Sequence, residues 1–413
     1  MVLLLLPTGT YRAPDFLAAA GRLGVDVVVG SERRQAMAGA MGDRALVVPL
    51  GDVPAAVEVI AALHQRRRLD AVLAVDDQGL AVAAAASERL GMPHNPPDAV
   101  AGARNKAILR SRLAAASVPQ PAYRVGPPRG QVAAAAAAIG YPCVVKPVSR
   151  SGSQGVIRVD DPAQAAAAES RVRALVGNSE PLLVEGFVPG SEVAVEGLLD
   201  AGRLQVLAVF DKPDPLDGPF FEETIYVTPS RHPTPTLAAI EATLASATAA
   251  LGLREGPIHA EMRIGGQAGL SVLEVAARSI GGLCARALRF GAGLSLEEVI
   301  IRHAVGAGLD GLRREAQASG VMMLPIRSAG VLEEVRGRAD ALVVDGVVGV
   351  EITIPLGRTV VPLPEGDRYL GFVFARGDTP AEVEAALRRA EAALTVVVRA
   401  EPDRADPDGM FGR

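Results

Sequence analysis

Residues 258–278 read IHAEMRIGGQAGLSVLEVAAR and are the most informative segment of the sequence. Its first seven residues alternate in polarity, with these apolar residues on one face: Ile258, Ala260, Met262 and Ile264. The other face carries His259, Glu261 and Arg263. Because successive side chains of a strand point to opposite faces, the alternation predicts a half-buried strand. The glycine-rich stretch 265–269 predicts a turn, so a second strand and a hairpin are expected.

The two strands of this hairpin each carry an acid. A symmetric register pairs Met262 with Leu273 and sets Glu261 directly opposite Glu274. Two carboxylates about 5 Å apart repel by roughly 3 kcal/mol at an effective dielectric constant near 20, so a positive charge is expected between them. Oxygen ligands on rigid strands suit Mg²⁺. We therefore predict Glu261 and Glu274 as ligands of Mg²⁺, with Mn²⁺ as the alternative ion; a solvated face with a shifted register is the competing interpretation.

Length and charge limit the classes of function. The 413 residues exceed one ordinary domain, so two or three packed units are expected. The net charge of −5 argues against nucleic-acid and membrane partners and favours small molecules. Two cysteines, Cys143 and Cys284, exclude a disulfide framework. The apolar start ends at Pro7 after five residues, too short for an export signal, so a cytoplasmic protein is expected.

Lysine is rare in this chain. Of 42 basic residues only Lys106, Lys146 and Lys212 are lysines, and the other 39 are arginines. In so arginine-rich a chain, a lysine marks a position where a compact ammonium is needed, although each one alone is also compatible with a solvated face. None of them follows a glycine, which excludes the GxxxxGK[ST] phosphate loop.

Another phosphate-binding loop follows Lys146. Residues 151–155 read SGSQG and are predicted to form a flexible turn between two strands. Glycines allow backbone N–H groups to close over an anion, and the serines add hydroxyl donors, so this loop is predicted to cover phosphates. A plain hairpin turn is the alternative interpretation.

Residues 182–192 suit a nucleoside. An apolar strand end offers main-chain groups to a base edge near Glu185 and Val188, and Glu192 offers carboxylate oxygens to ribose hydroxyls. Two exposed glutamates flanking a turn are the alternative. Arg278 lies four residues after Glu274, so its guanidinium could hold a carboxylate or a transferring phosphoryl group, or be a surface charge.

The chain divides into three predicted units. Residues 1–100 alternate apolar runs with helical stretches and predict a small doubly wound α/β domain, whose helices are expected at 14–23, 53–67 and 79–91. Its first turn reads PTGT rather than GxGxxG, which excludes a dehydrogenase. Residues 101–305 predict an α+β domain with a small nucleotide-clamping subdomain at about 115–183.

The remaining elements are predicted less regularly. Helices are expected at about 104–116, 130–139, 235–252 and 294–305, with a loop over 211–235. Residues 306–413 predict an α+β lid segment with strands at about 341–353 and 370–374 and a helix at 379–393. The tail from Glu401 is expected to be mobile.

These ordered motifs resemble the ATP-grasp superfamily over about residues 105–306, with an α/β unit before and a lid segment after. The form Glu-x-Ala-Ala-Arg at 274–278, with the upstream His-x-Glu, is similar to bacterial L-amino acid ligases and their carnosine-synthase-like relatives. The resemblance implies a nucleotide site made of Lys106, Lys146, Ser151, Gly152, Ser153, Gly155, Glu185, Val188 and Glu192. It implies catalytic roles for Lys146, Glu274 and Arg278.

The same resemblance implies the reaction. ATP and Mg²⁺ would activate a carboxylate as an acyl phosphate, and an amine would attack it to give an amide, ADP and phosphate. The implied substrate contacts are Lys212, Glu223, His259, Arg278, Gly281 and Gly282. Glu222 is the alternative to Glu223, and a cap of the strand end is the alternative role of Lys212. The implied substrates are a small carboxylate and an amine, with amino acids favoured, and a homodimer is an assembly that the sequence leaves open.

One departure from the superfamily pattern keeps alternatives open. Most members have an asparagine, a further metal ligand, where this chain has Ala276. A ligase of another acceptor class, of the purine-pathway or carboxylase type, and a nucleotide-binding protein without turnover are therefore the competing interpretations.

Overall fold

An N-terminal parallel sheet begins the fold. The structure is a computed structural model that describes residues 1–33, 42–126, 129–265, 269–309 and 311–400. Four parallel strands lie in the order β3-β2-β1-β4, namely β1 (Val2–Leu5), β2 (Val27–Ser31), β3 (Ala45–Val47) and β4 (Ala71–Ala74). The helices are α1 (Ala13–Leu23), α2 (Val53–Arg66) and α3 (Leu80–Leu90). Leu3 and Leu5 pack against α2 and α3, and Val2 and Leu4 pack on the α1 side. The predicted doubly wound unit is confirmed.

Two helices follow where one was predicted. Helix α4 (Pro97–Arg104) and helix α5 (Lys106–Ala115) share Asn105, whose side chain accepts the N–H groups of Ala107 and Ile108 and caps α5. The helix predicted at 104–116 is thus present. Helix α4 was not predicted; it begins at Pro97, which is compatible with the first turn of a helix.

A small antiparallel sheet carries the glycine loop. Its strands lie in the order β5-β8-β6-β7, namely β5 (Tyr123–Val125), β6 (Cys143–Pro147), β7 (Ile157–Val159) and β8 (Leu182–Gly186). Helices α6 (Val132–Ile139) and α7 (Pro162–Val176) cover it. The loop between β6 and β7 contains residues 151–155, so the predicted turn between two strands is present.

An eight-stranded sheet forms the centre of the molecule. Its strands, in spatial order, are β13 (Leu270–Ala276), β12 (Gly256–Ile264), β9 (Ser191–Asp200), β10 (Arg203–Lys212), β11 (Ile225–Thr228), β14 (Ala318–Leu324), β18 (Gly371–Gly377) and β16 (Val347–Ile352). Strand β11 lies in the stretch predicted as a loop, which corrects that prediction. Its four residues pair with β14, about a hundred residues later, and such a distant partner leaves no local pattern.

The hairpin β12–β13 has the predicted pairing at its acids and a bulge beyond them. Glu261 pairs with Glu274, but Met262 pairs with Val272 and not with Leu273. The buried Arg110 donates to the carbonyls of Val272 and Leu273, at 2.9 and 2.7 Å, so main-chain acceptors at the bulge are satisfied. Residues 266–268 of the predicted glycine turn lie outside the described residues.

The C-terminal part of the chain adds the last strands of the eight-stranded sheet and forms the lid. It comprises β14 (Ala318–Leu324), β15 (Gly330–Arg336), β16 (Val347–Ile352), β17 (Thr359–Val360), β18 (Gly371–Gly377) and β19 (Thr395–Arg399). The later helices are α8 (Thr234–Leu251), α9 (Leu296–Ala304), α10 (Arg338–Leu342) and α11 (Pro380–Ala393). The strand predicted over 341–353 is wrong at its start, because α10 precedes β16 and the turn contains Gly346 at φ +87°. The predicted tail from Glu401 lies outside the described residues.

The predicted division at residues 305–306 stays a prediction. Strands from both sides of it join in the eight-stranded sheet through the pairing of β11 with β14. Among the residues with described structure, no helix is both long and apolar enough to cross a membrane.

Candidate active site

A cleft of about 530 Å³ brings most of the predicted site residues together. The predicted residues that line it are Lys106, Lys146, Ser151, Gly152, Ser153, Glu185, Val188, Glu192, Glu223, His259, Glu261, Glu274, Arg278, Gly281 and Gly282. Two predicted residues do not line it. Lys212 lies buried behind the acids, and the Gly155 N–H donates to Pro364 O at 2.8 Å. A larger cavity of about 1030 Å³ contains none of the predicted residues.

Three parts of the fold form the cleft. The loops after β1, β2 and β4 contribute its N-terminal side, which fits the rule that parallel sheets bind ligands at the carboxyl ends of their strands. The small sheet contributes the glycine loop and the end of β8, and the eight-stranded sheet contributes the hairpin acids. Residues 367–369, which precede β18, close the C-terminal side.

One end of the cleft is basic. Lys146 Nζ lies 2.6 Å from Glu185 Oε2, and Arg110 Nε donates to Glu185 Oε1 at 2.5 Å. Burial lowers the pKa of Lys146 despite this carboxylate. Burial would raise the pKa of Glu185, but Arg110 and Lys146 outweigh it and lower the pKa to about 2. Lys106 Nζ donates to Arg150 O at 2.6 Å and lies 3.2 Å from Glu274 Oε2.

The side chain of Glu185 is therefore fully engaged. Its backbone pairs with Tyr123 and Val144 inside the small sheet, while its carboxylate holds two cations. The carbonyl of Val188 accepts from Arg263 Nη1 at 3.2 Å. The predicted reading of a base edge by main-chain groups near Glu185 and Val188 stays a prediction.

A second cluster of the cleft, which we call the acidic end, is organised around Lys212. Its Nζ lies 2.7 Å from Glu192, 2.7 Å from Glu223 and 3.2 Å from Glu261. Burial opposes the charge, but the three carboxylates hold the pKa of Lys212 well above its usual value. Arg263 Nε also donates to Glu192, at 2.9 Å. The register explains this cluster, because Glu192 on β9 pairs with Arg263 on β12 and with Lys212 on β10.

His259 belongs to a second cross-strand pair. It lies opposite Glu196, and its Nδ1 is 2.5 Å from Glu196 Oε1, while its Nε2 is 3.6 Å from Glu261 Oε1. Burial disfavours a charged imidazole, but the two carboxylates outweigh it and raise the pKa of His259 to about 9. The other oxygen of Glu196 accepts the Ile280 N–H at 3.1 Å. Glu196 was missed in the sequence, although its spacing from Glu192 on one strand puts both on the same face.

The acidic side chains offer donor atoms that suit a divalent cation. Glu261 and Glu274 face each other, and one oxygen from each of Glu192, Glu223 and Glu261 lies within 4.8 Å of the others. Carboxylate oxygens are the donors that Mg²⁺ takes, so the residues present fit that ion. The expected positive charge beside the facing acids is provided by two lysines, Lys212 at Glu261 and Lys106 at Glu274.

Arg278 is held by the N-terminal domain. Its Nε donates to Asp77 Oδ1 at 2.9 Å, and its Nη1 donates to Ser279 O at 3.0 Å. Burial opposes its charge, but Asp77 outweighs burial and raises the pKa of Arg278. Arg12 Nη2 donates to Ser279 Oγ at 2.6 Å. Arg12 and Asp77 were not predicted as site residues; their positions after β1 and β4, at the carboxyl edge of the sheet, were the available signal.

Three segments of the chain match the models of known families. Residues 17–94 match the ATP-grasp N-terminal domain, residues 139–287 the ATP-grasp domain, and residues 322–399 the L-amino acid ligase C-terminal domain 2. The chain belongs to the ATP-grasp family. This ATP-grasp protein is on the L-amino acid ligase branch, as the sequence motifs predicted.

Two curated relatives cover part of this ATP-grasp protein. An uncharacterized protein of Sinorhizobium fredii is 26% identical over 316 residues, which are 72% of this chain and 62% of the relative. The chain thus spans less than two thirds of that relative's length. The D-alanine–D-alanine ligase of Aromatoleum aromaticum is 28% identical over 211 residues, which are 47% of this chain and 67% of that enzyme.

Solved structures match the ATP-grasp protein over nearly its full length. The L-amino acid ligase from Bacillus licheniformis has a TM-score of 0.81 at 25% identity, covering 97% of this chain and 99% of that one. The N5-carboxyaminoimidazole ribonucleotide synthetase from Thermotoga maritima has a TM-score of 0.73 at 17% identity, covering 97% of this chain and 100% of that one. The second likeness shows a shared fold.

Proposed function

We propose that this chain joins two amino acids into a dipeptide at the expense of ATP, through an acyl-phosphate intermediate. The observation that carries the proposal is that one cleft holds three cationic side chains, Lys106, Lys146 and Arg278, beside the facing acids Glu261 and Glu274. The likeness to the Bacillus licheniformis L-amino acid ligase over 97% of the chain supports amino acids as substrates.

The basic end is the proposed nucleotide site. Lys106 and Lys146 neutralise phosphate charge, and the N–H groups and hydroxyls of residues 151–155 close over the phosphates. The main chain near Glu185 and Val188 reads the base edge. One oxygen of Glu192 accepts from a ribose hydroxyl beside the bonds it already makes to Lys212 and Arg263.

The proposed metal ligands are Glu261 and Glu274, whose oxygens would hold Mg²⁺. When bound, this ion neutralises charge on the phosphates. The protein itself supplies Arg278, which is largely buried and is held by Asp77, to stabilise the negative charge of the transferring group.

The chemistry has two steps. A substrate carboxylate oxygen attacks the terminal phosphorus, the bond to ADP breaks, and an acyl phosphate forms. The second substrate's neutral amine then attacks the acyl carbon, phosphate leaves with the bonding electrons of the C–O bond, and the amine loses a proton. Glu223 and His259 are the proposed contacts for substrate amino groups, and Lys212, with Gly281 and Gly282, lies beside the same region.

The test is a substrate screen. Purified protein is incubated with Mg²⁺ and ATP and with mixtures of L-amino acids, and both phosphate release and dipeptide masses are measured. We expect phosphate release that requires amino acids and yields a dipeptide, with the Glu274→Ala variant as the control for contaminating ATPase. Turnover with bicarbonate or a phosphorylated amine, and none with amino acids, would instead establish the other acceptor class. Tight ATP binding without any ADP formation would contradict catalysis altogether.

A further inference from the structure

The bulge in the hairpin β12–β13 decides which side chains face each other at the proposed metal site. Near the turn, Met262 pairs with Val272. A regular continuation of that register would pair Glu261 with Leu273 and would turn Glu274 to the opposite face of the sheet. Because Leu273 is an extra residue in β13, Glu274 instead pairs with Glu261. The facing acids therefore depend on the bulge.

The backbone at the bulge is bonded from outside the sheet. Strand β13 is an end strand of the eight-stranded sheet, so its outward backbone groups need partners that are not strands of that sheet. The N–H of Val272 donates to Pro119 O at 2.9 Å. The carbonyls of Val272 and Leu273 both accept from Arg110, at 2.9 and 2.7 Å. Since consecutive carbonyls of a regular strand point in opposite directions, this shared donor holds the irregular geometry of the bulge.

The same guanidinium also reaches the small sheet. Arg110 lies on α5, whose first residue is Lys106, and its side chain is fully buried. Its Nε donates to Glu185 Oε1 at 2.5 Å, and the other oxygen of that carboxylate lies 2.6 Å from Lys146 Nζ. A guanidinium presents its N–H groups in a rigid planar fork. Bonds from one fork to the carboxylate and to both carbonyls therefore fix the hairpin relative to the small sheet.

We propose that Arg110 is a positioning residue that holds the bulge and thereby keeps Glu274 opposite Glu261. Through Glu185, the same side chain fixes Lys146. Arg110 does not line the cleft, so it acts on a bound nucleotide only through residues that do. One side chain thus sets the position of the proposed metal ligands relative to the proposed phosphate lysine. This inference rests on the proposed function, which assigns the two acids to Mg²⁺ and the lysine to the phosphates.

The consequence is a coupling between metal binding and nucleotide binding that depends on Arg110. We define the Mg²⁺ gain as the dissociation constant of ATP without Mg²⁺ divided by that with Mg²⁺. The gain is large only when the acids and the lysine meet one nucleotide in the correct relative positions. Without the fork, the basic end loses a support and the bulge can relax, so both the metal-free affinity for ATP and the Mg²⁺ gain should fall. A residue that only stabilised the fold would change neither quantity in the folded protein.

The experiment measures ATP binding to Arg110→Lys by calorimetry, with Mg²⁺ and with EDTA, after circular dichroism has checked the fold. Lysine keeps a positive charge beside Glu185 but cannot serve the carboxylate and both carbonyls together. We expect the metal-free affinity for ATP to fall at least about threefold and the Mg²⁺ gain to fall at least about tenfold. The matched control is Arg112→Lys on the same helix, whose Nη1 donates to Leu251 O at 2.8 Å. It should change each quantity by less than about twofold.

A second, milder variant keeps the test decisive if Arg110→Lys does not fold. Gln120 Nε2 donates to Arg110 O at 2.9 Å, and its Oε1 accepts from Arg110 Nη1 at 3.4 Å. Gln120→Ala removes this support and leaves the guanidinium in place, so the Mg²⁺ gain should fall at least about twofold. An unchanged Mg²⁺ gain in folded Arg110→Lys, or in Gln120→Ala where the first variant does not fold, overturns the inference. A wild-type protein that binds no ATP, or shows no Mg²⁺ gain, overturns the proposed function instead.

Discussion

The two ends of the cleft arrange buried charge in opposite ways. At the basic end, the single carboxylate of Glu185 serves two cations, Arg110 and Lys146. At the acidic end, the single ammonium of Lys212 serves three carboxylates, those of Glu192, Glu223 and Glu261. The basic end is therefore suited to an anion and the acidic end to a cation, either a metal ion or a substrate ammonium. A bound nucleotide with its phosphates at the basic end, together with a cation at the acids, would balance the charges of both ends.

The contrast also shows what each end tolerates. A buried charge that loses its partner costs several kcal/mol, whereas an exposed pair contributes little. At the acidic end one lysine is shared by three carboxylates, with Arg263 beside Glu192 and His259 beside Glu261 as additional partners, so the loss of Lys212 should cost more stability than the loss of an exposed cation. The facing acids Glu261 and Glu274 connect the two ends, because Glu261 contacts Lys212 and Glu274 contacts Lys106.

The largest effect of a substitution is expected at the facing acids Glu261 and Glu274, which connect the two ends. Glu274→Ala removes a proposed metal ligand, so we expect kcat for phosphate release to fall by about 10³-fold or more, in line with the loss of electrostatic stabilisation of a transition state. Only about a quarter of this side chain is exposed, but it bonds a lysine at the cleft surface and supports no core, so the fold should survive. Nucleotide binding measured by calorimetry should persist. A rate close to wild type would remove Glu274 from the site.

The acidic end can be destabilised by replacing Lys212. Lys212→Met leaves three buried carboxylates without their ammonium, so we expect the free energy of unfolding to fall by about 3–5 kcal/mol in urea denaturation. The control is Arg203→Met, whose pair with Asp200 is exposed and should cost less than about 1 kcal/mol. Adding Glu223→Gln to Lys212→Met removes one uncompensated charge and should recover part of the loss. Equal effects of the two single variants would contradict the charge argument.

His259 offers a pH test of the same end. A pKa of about 9 in the folded protein, against 6.5 for the free group, means that its charge stabilises the fold fully below pH 6.5 and that this contribution disappears as the pH rises through 9. We expect His259→Gln to be less stable than wild type by about 3 kcal/mol near pH 6, and the difference to shrink toward zero near pH 10. Urea unfolding in Mg²⁺-free buffer measures this. A pH-independent difference would show that His259 is neutral in the fold.

The sequence predicted those parts of the site that depend on local patterns. The alternation over 258–264 and the symmetric register predicted that Glu261 faces Glu274, and this pairing is present, although the pairs nearer the turn are shifted by one residue and the bulge restores the register at the acids. The rarity of lysine led to Lys106, Lys146 and Lys212, each of which is buried in an ion pair.

The parts that the sequence did not predict depend on distant partners. Strand β11 and the bulge at Leu273 require β14 and Arg110, which lie far away along the chain. The same holds for Asp77, which reaches Arg278 about two hundred residues later. The carboxylate of Glu185 is engaged by Arg110, and no spacing in the sequence indicates that a helix residue enters the small sheet from outside.

The smallest effect of a substitution is expected where the lid contacts the glycine loop. Gly155 donates to Pro364 O and Gln154 Nε2 donates to Glu365 O, both at 2.8 Å, while the Glu365 carboxylate pairs with Arg171 on α7. These contacts hold the loop over the basic end from the C-terminal side.

Glu365→Gln removes only the charge of this contact. Because the pair is about one third exposed, we expect less than about 1 kcal/mol of lost stability. A loop that closes less often binds ATP less tightly, so KM for ATP should rise by about threefold while kcat/KM for the amino acid changes less, since the acidic end is untouched. Glu333→Gln, in an exposed pair with Arg399 on the lid, is the control and should change neither constant. If Glu365→Gln instead altered the amino acid constant and left that for ATP unchanged, the lid would act on the acidic end, and the division of the cleft into two independently held ends would be wrong.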